Sequence, residues 1–157
     1  MRHILKLHRS LTIEIPKTQN NFEIAAFDPK LHKKEWLELN NKIFINHPDQ
    51  GNWAIKDLEN RMAEPWFDPE GFFIAFENKK MIGFCWTKIH HDFVNQDPTG
   101  ELYVIGVDPD SHTQGIGKAL AITALNYLKQ KGLNQAMLYV DADNSKALKL
   151  YESLGFN

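Results

Sequence analysis

The sequence predicts an α/β domain in which a mixed central sheet carries helices on both faces. Short apolar strand-like runs alternate with helical segments that have one apolar face, in the order β-α-α-β-β-β-α-β-α. The segment Val107–Leu120 supports the same class, because there an apolar strand enters a glycine-containing loop that opens a helix. With 157 residues the chain is long enough for one domain with a buried core.

The first half of the chain is expected to supply strands, two helices and a hairpin. Leu5 and Leu7 alternate with polar residues, as in a short strand. Further strands are predicted over 22–27, 72–77 and 81–90, and helices over 31–44 and 55–62. The short polar turn 78–80 indicates that the last two of these strands form a hairpin.

The second half is expected to alternate strand and helix. A central strand is predicted over 101–107, followed by a helix that begins near Gly117 and ends at the stop signal Lys131-Gly132. Another strand is predicted over 136–140. Asn144 is typical of a helix cap and precedes a final amphipathic helix.

Composition excludes several classes of protein. The chain is 43% hydrophobic and 24% charged, which is ordinary for a globular domain, and its net charge of −2 lacks the basic footprint of nucleic-acid binding. No apolar run is long enough for a transmembrane helix, and Met1–Leu11 alternates too regularly for a signal peptide. The single cysteine excludes a disulfide framework and a thiolate zinc site. We expect a cytoplasmic protein.

The glycine-containing loop is typical of a phosphate cradle. Helix N-termini present unpaired N–H groups that attract anions, and glycines allow a ligand to approach the backbone. A dinucleotide-binding loop would need glycine where the chain has Leu120. A Walker loop would need glycine in place of His112 and a hydroxyl residue in place of Ala119. The remaining spacing has Gly115 and Gly117 after a V-x-P strand end.

That loop resembles the coenzyme A loop of the GNAT family of N-acetyltransferases, although His112 stands where the family usually has Gln or Arg. Residues 144–156, N-S-K-A-L-K-L-Y-E-S-L-G-F, resemble the end of the family's domain, and Glu101 opens the strand that leads into the loop. The resemblance implies the GNAT fold, a mixed and mostly antiparallel sheet, with acetyl-CoA as cosubstrate and no metal.

Longer stretches, including 40–53, 64–71 and 83–90, resemble the second of the two tandem GNAT domains of the mycothiol synthases. This resemblance covers roughly residues 20–157. It implies acetylation of the cysteinyl amine of cysteinyl-glucosaminyl-inositol. We expect residues 1–19 to be a strand and linker that resemble the end of a preceding GNAT domain, and residues 20–157 to be the acetyltransferase domain.

The chain stops after L-G-F, where the family continues into one more strand, so the final C-terminal strand is expected to be absent. We hypothesise that the segment Arg2–Leu11 fills the vacant sheet position, either within the chain or by exchange between two chains. A homodimer through this strand or a missing companion GNAT domain would then be the protein partner. The alternative is a frayed tail.

The resemblance also implies a catalytic pair. Glu101 would be the base that takes a proton from the amine, and Tyr151 the acid that protonates the leaving thiolate. The alternative for Glu101 is an exposed carboxylate at a strand end, and the alternative for Tyr151 is an aromatic residue of the core. The backbone N–H groups of Ile105, Gly106 and Val107 would bind the acetyl carbonyl, and Gly106 is expected to form a strand bulge.

Binding residues follow from the same resemblance. The acceptor would contact Asp49, Lys88, Glu101 and Tyr139, with Asp49 standing where the family more often has Glu. The alternative for Lys88 is a solvated residue at a strand end, and the alternative for Tyr139 is a packing residue. The acetyl-CoA contacts would be Ile105, Gly106, Val107, His112, Thr113, Gln114, Gly115, Ile116, Gly117 and Lys118, with Asn144, Ser145, Lys146, Ala147, Leu148 and Lys149 at the second helix start.

Other patterns are set aside. Asp141, Asp143, Ser145 and Glu152 have calcium-loop spacing, but Lys146 occupies the position that requires glycine. His90-His91-Asp92 is expected to be a surface segment, Cys85 a buried thiol, and the tryptophans core or pocket wall. Two rival functions stay open: a single-domain GNAT enzyme acting on another small amine or a protein N-terminus, and a non-catalytic acyl-CoA-binding domain.

Overall fold

The alternating segments fold into a six-stranded sheet covered by helices. The computed structural model describes residues 3–18, 22–91 and 97–157. Its strands are β1 (Ile4–Ser10), β2 (Glu23–Ala26), β3 (Phe72–Glu77), β4 (Lys80–His90), β5 (Thr99–Val107) and β6 (Gln135–Asp141). Its α-helices are α1 (Lys33–Ile43), α2 (Ile55–Met62), α3 (Ile116–Gln130) and α4 (Ser145–Ser153). Within these ranges, no helix combines the length and apolarity needed to cross a membrane.

The strand order is β1-β6-β5-β4-β3-β2, and only β5 and β6 are parallel. The α/β class and the mixed, mostly antiparallel sheet are therefore confirmed. The hairpin between β3 and β4 turns on Asn78 and Lys79, with φ of 52° and 65°. Two successive residues in the left-handed region are typical of a two-residue type I′ turn, so Lys80 belongs to β4 rather than to the turn.

The two faces of the sheet have different cores. The face under α3 and α4 is mainly aliphatic, with Leu120, Leu125 and Leu128 fully buried. The face under α1 and α2 is aromatic, and Trp36 there makes edge-on contacts with the rings of Phe84 and Trp86. Helices thus cover both faces, as the apolar stripes of the sequence predicted.

The N-terminal strand is an integral part of the sheet. β1 pairs with β6 along its whole length, from Ile4 opposite Asp141 to Ser10 opposite Gln135. The Arg9 guanidinium is buried and donates to the carbonyls of Leu154 and Ile13 at 2.6 and 2.8 Å. The frayed-tail alternative is therefore wrong. Arg2 and the expected boundary between residues 19 and 20 lie outside the described residues.

The central feature for function is that β5 and β6 pair over only a short distance. Their parallel register joins Gly100 to Ala136 and Glu101 to Met137, and beyond these pairs the strands diverge. On its other side, β5 stays paired with β4 as far as Val107. A gap therefore opens in the sheet from Leu102 onward.

The bulge of β5 lies at Tyr103 rather than at Gly106, so the expected position was wrong. Trp86 pairs with Val104 and Thr87 with Leu102, which leaves Tyr103 as the extra residue. Gly106 pairs regularly with Phe84. A Cβ on Gly106 would lie 3.1 Å from Ile43 Cδ1, so this glycine permits the close approach of α1.

Candidate active site

A cleft of about 880 Å³ occupies the gap between β5 and β6. This volume is in the range of small-molecule sites. Its walls are β5 from Leu102 to Val107, the end of β6, the loop that precedes α3, and the start of α4. Phe44 and His47, which follow α1, close one side. The predicted phosphate cradle therefore opens onto a cleft at the point where the sheet divides.

The edge of β5 offers backbone donors to this cleft. The N–H of Asp108 donates to the carbonyl of Ile82 on β4 at 2.8 Å. Because the direction of the backbone groups alternates along an antiparallel pair, the N–H of Gly106 also faces β4, whereas those of Ile105 and Val107 face the gap. Two of the three expected donors are therefore directed toward the cleft, and Gly106 uses its N–H within the sheet.

The N-terminus of α3 forms one end of the cleft. Gly115 precedes the helix with φ of 80°, and a Cβ there would meet nothing within 4 Å. The amide of Ala119 donates to the Gly115 carbonyl at 3.0 Å, so the three amides before it, from Ile116 to Lys118, have no partner inside the helix. Such unpaired amides at a helix N-terminus are typical of anion-binding positions. The predicted loop residues from His112 to Lys118 all line the cleft.

Side chains that the sequence analysis did not single out brace this loop. The Asp108 carboxylate is 3% exposed and accepts from Asp110 N–H and Lys42 Nζ, each at 2.9 Å. Burial acts to raise the pKa of Asp108, but these donors together lower it below its ordinary value. Thr113 Oγ1 donates to Glu77 Oε2 at 2.6 Å. The loop is thereby tied to α1 and β3.

The start of α4 contributes fewer residues than expected. Asn144 Oδ1 accepts from the N–H of Ala147 at 3.2 Å, which confirms the predicted cap. Asn144, Lys146 and Ala147 line the cleft. Ser145, Leu148 and Lys149 are not among its lining residues, because the helical turn carries them to other faces of α4.

Tyr151 lines the cleft from α4 and is 5% exposed. Its ring packs edge-on against Phe156, and the described residues offer its hydroxyl no hydrogen-bond partner. Burial raises the pKa of this phenol, and the neighbouring Cys85 adds to the shift. Burial also raises the pKa of the Cys85 thiol to about 12. The interpretation of Cys85 as a buried thiol is confirmed.

Glu101 lies at the closed end of the gap, in the last paired position of β5 and β6. Its side chain is 8% exposed, and its Oε1 lies 2.7 Å from Nε2 of His90, which is itself 15% exposed. The alternative of an exposed carboxylate is therefore wrong, and so is the expectation that His90 is a surface histidine. Asp92, the third residue of that segment, lies outside the described residues.

Lys88 belongs to a cation–aromatic cluster with Arg61, Trp66 and Tyr103. Its Nζ lies 4.8 Å from the Trp66 ring centroid and 5.6 Å from that of Tyr103. Arg61 donates to the Tyr103 hydroxyl. Lys88 is thus partly buried rather than a solvated strand end. Trp66 was expected only as core or pocket wall, and nothing in local spacing indicated that Arg61 would join it.

The remaining acceptor candidates lie at the rim. Tyr139 is 54% exposed, lines the cleft, and has Lys6 Nζ 6.0 Å from its ring centroid, so it is not a core packing residue. Asp49 lies in the loop after α1, where its carbonyl accepts from Trp53 Nε1 at 3.0 Å. Its neighbours His47 and Gln50 reach the cleft wall. The cleft thus gathers most of the predicted acetyl-CoA residues, together with Tyr139 and Tyr151, whereas Asp49, Lys88 and Glu101 are not among its lining residues.

Comparisons with known proteins agree with this geometry. The acetyltransferase (GNAT) family model matches residues 30–156. Mycothiol acetyltransferase from Thermobispora bispora is 44% identical over 158 residues, which cover 99% of this chain and 54% of that protein. The chain therefore spans about half the length of the curated relatives it matches.

Solved structures share the fold. A GCN5-related N-acetyltransferase from Sphaerobacter thermophilus has a TM-score of 0.78 at 21% identity, over 99% of this chain and 48% of its own. The aminoglycoside N-acetyltransferase AAC(6')-Iy, in complex with CoA, has a TM-score of 0.70 at 25% identity and covers 92% of both chains. Family match, relatives and fold together show that the chain belongs to the GNAT family of acetyltransferases.

Proposed function

We propose that the chain is an acetyl-CoA-dependent N-acetyltransferase that acetylates a primary amine, namely the cysteinyl amine of cysteinyl-glucosaminyl-inositol. The observation that carries this proposal is the divided sheet. One continuous cleft runs along the open edge of β5 from the helix N-terminus at Gly115, and Glu101 lies where the gap closes. A phosphate-bearing donor and an amine acceptor can therefore meet at the middle of β5.

The cleft suits acetyl-CoA in its backbone chemistry. The amides from Ile116 to Lys118 would hold the diphosphate, since they are unpaired within α3 and lie at the positive end of its dipole. The N–H groups of Ile105 and Val107 would donate to the acetyl-bearing arm of acetyl-CoA and to the carbonyl oxygen on which charge develops. When bound, acetyl-CoA supplies a thioester carbonyl that a neutral amine can attack directly.

Glu101 would act as the base. An amine with a pKa of about 8 is largely protonated at neutral pH, so a proton must leave it before or during attack. The carboxylate of Glu101 is buried beside the last paired position of β5 and β6, where His90 contacts its Oε1. It would take that proton directly or through one water molecule.

Tyr151 would act as the acid. The thiolate that leaves coenzyme A has a conjugate acid of pKa about 8.5 and needs a proton donor nearby. Burial raises the pKa of Tyr151, so its phenol keeps its proton until the thiolate develops in the same dry wall of the cleft. Its hydroxyl, without a partner among the described residues, is available for that transfer.

The acceptor would lie against the aromatic face of the sheet. Lys88 is directly opposite Glu101 in the β4–β5 register, and with Arg61 it offers cationic donors beside the rings of Trp66 and Tyr103. Such donors suit the hydroxyl groups of an acceptor such as an inositol glycoside. Asp49 and Tyr139 would contact it from the rim. The relative from Thermobispora bispora is named for acetylation of mycothiol, which supports this choice of acceptor.

The test is a mass-resolved acetylation assay with three acceptors: cysteinyl-glucosaminyl-inositol, an aminoglycoside, and a peptide with a free N-terminus. We expect one acetyl group on the first, and none when its amine is blocked beforehand. Acetylation of a different acceptor alone would overturn the substrate assignment. Binding of acetyl-CoA without transfer to any acceptor would favour the non-catalytic alternative.

A further inference from the structure

Among the described residues, the carboxylate of Glu101 is held at one oxygen. Its Oε1 lies 2.7 Å from His90 Nε2. Across the described ranges 3–18, 22–91 and 97–157, Oε2 has no hydrogen-bond or ion-pair partner. Since the side chain is only 8% exposed, water has little access to Oε2 and does little to fix its position. The orientation of this buried carboxylate therefore depends on His90.

Lys88 is the other cation that could hold the Glu101 carboxylate, but its ammonium group contacts aromatic rings instead. Lys88 pairs directly with Glu101 in the β4–β5 register, which would favour an ion pair. Its Nζ instead lies over the rings of Trp66 and Tyr103, and the described part of the chain contains no Lys88–Glu101 ion pair. Lys88, although it is opposite Glu101 in register, therefore does not hold the carboxylate, and His90 does.

Strand geometry explains why His90 reaches Glu101. His90 is two residues beyond Lys88 on β4, so the alternation of side chains places both on the same face as Glu101. It is the diagonal neighbour of Glu101 across the antiparallel pair, a distance that long side chains span. His90 lies in the final β4–β5 pair, opposite Thr99, and its ring is 15% exposed.

We propose that His90 is a positioning residue for the acetyl transfer, a role that rests on the proposed function. With its proton on Nε2, His90 donates to Glu101 Oε1 and holds the carboxylate so that Oε2 receives the proton of the acceptor amine. The nitrogen then forms its bond to the acetyl carbon as the carbon–sulfur bond breaks, and the thiolate takes its proton from Tyr151. His90 keeps its own proton throughout.

Two substitutions at His90 test the role, with His91 as the matched control. His90→Leu removes the donor and should lower kcat about tenfold or more, with KM for acetyl-CoA nearly unchanged, because the cleft walls are intact. His90→Gln places an amide donor near the position of Nε2 and should recover most of the loss. His91→Leu alters an exposed neighbour and should leave kcat unchanged. Thermal unfolding of each variant establishes that it is folded.

A double-mutant cycle with Glu101→Gln separates positioning from a general structural effect. Because His90 acts through Glu101, adding His90→Leu to Glu101→Gln should change kcat by less than about twofold. An equal loss in both backgrounds, or a Gln variant no better than Leu, would overturn the role. If the folded wild type binds acetyl-CoA and transfers no acetyl group, the proposed function itself fails; if only His90→Leu is without effect, the proposed function stands and this role fails.

Discussion

Both halves of β5 pair with β4 on one side, but on the other side only the first half pairs with β6. At Gly100 and Glu101 the strand is paired with both β4 and β6, whereas from Leu102 to Val107 it is paired with β4 alone. The closed half buries a carboxylate and satisfies its backbone within the sheet. The open half leaves backbone donors facing a cleft. A single strand thus offers side-chain chemistry at one end and backbone chemistry at the other.

This difference predicts how the two halves respond to substitution. A side chain at the closed end should carry a large share of the reaction, since no backbone group can replace it. Loop side chains beyond the open half should matter less, because the amides that bind there belong to residues of any kind.

At the closed end, Glu101→Gln should lower kcat by about 10²- to 10⁴-fold, the usual contribution of a general base. The amide keeps the size of the side chain and an acceptor for His90, so thermal stability should change little. The measurement is steady-state acetylation with a melting curve. Glu152→Gln, at an exposed position of α4, is the control and should have wild-type kcat. A loss below about tenfold at Glu101 would contradict its role as base.

In the wall of the open half, Tyr151→Phe should lower kcat about tenfold or more and leave the melting temperature unchanged. The hydroxyl has no partner among the described residues, so its removal breaks no contact there. Tyr127→Phe is the matched control, because its hydroxyl donates to Asp68 at 2.9 Å away from the cleft and its loss should affect stability rather than kcat. Equal kcat in both variants would exclude Tyr151 as the acid.

In the loop beyond the open half, His112→Gln should change acetyl-CoA affinity by no more than about threefold, which corresponds to less than one ordinary hydrogen bond. The physical reason is that the proposed anion position would be built from the amides of α3 rather than from the imidazole. Isothermal titration with acetyl-CoA measures it. A loss above about tenfold would show that His112 contributes directly, and the contrast between side-chain and backbone halves would then be too simple.

Much of the fold was predictable because the determining signals are local. The apolar periodicity of residues 31–44 and 55–62 indicated α1 and α2 within a few residues of their observed bounds. The Asn144 cap and the glycine spacing at 115 and 117 identified both helix starts at the cleft. Such signals depend on neighbours within one or two turns of chain, so they can be read without tertiary information.

Other features were missed or misplaced because they depend on pairing register. Nothing in the local pattern around His90 indicates that its partner lies eleven residues away on the next strand, so the pattern predicts a surface residue. We expected the bulge at Gly106 because glycine in a strand often marks a bulge. The register of β4 against β5 places it at Tyr103 instead. The brace from Lys42 to Asp108 joins α1 to a distant loop.

Local sequence signals were enough to predict the order of the elements, the type of each helix start, and the family that the chain resembles. These follow from periodicity, capping and glycine spacing, which act over short stretches of chain. Only the tertiary structure decided where β5 parts from β6, which amides face the cleft, and which side chain holds Glu101. Those outcomes depend on strand pairing across the sheet, because a shift of one residue in register exchanges the face on which every side chain lies.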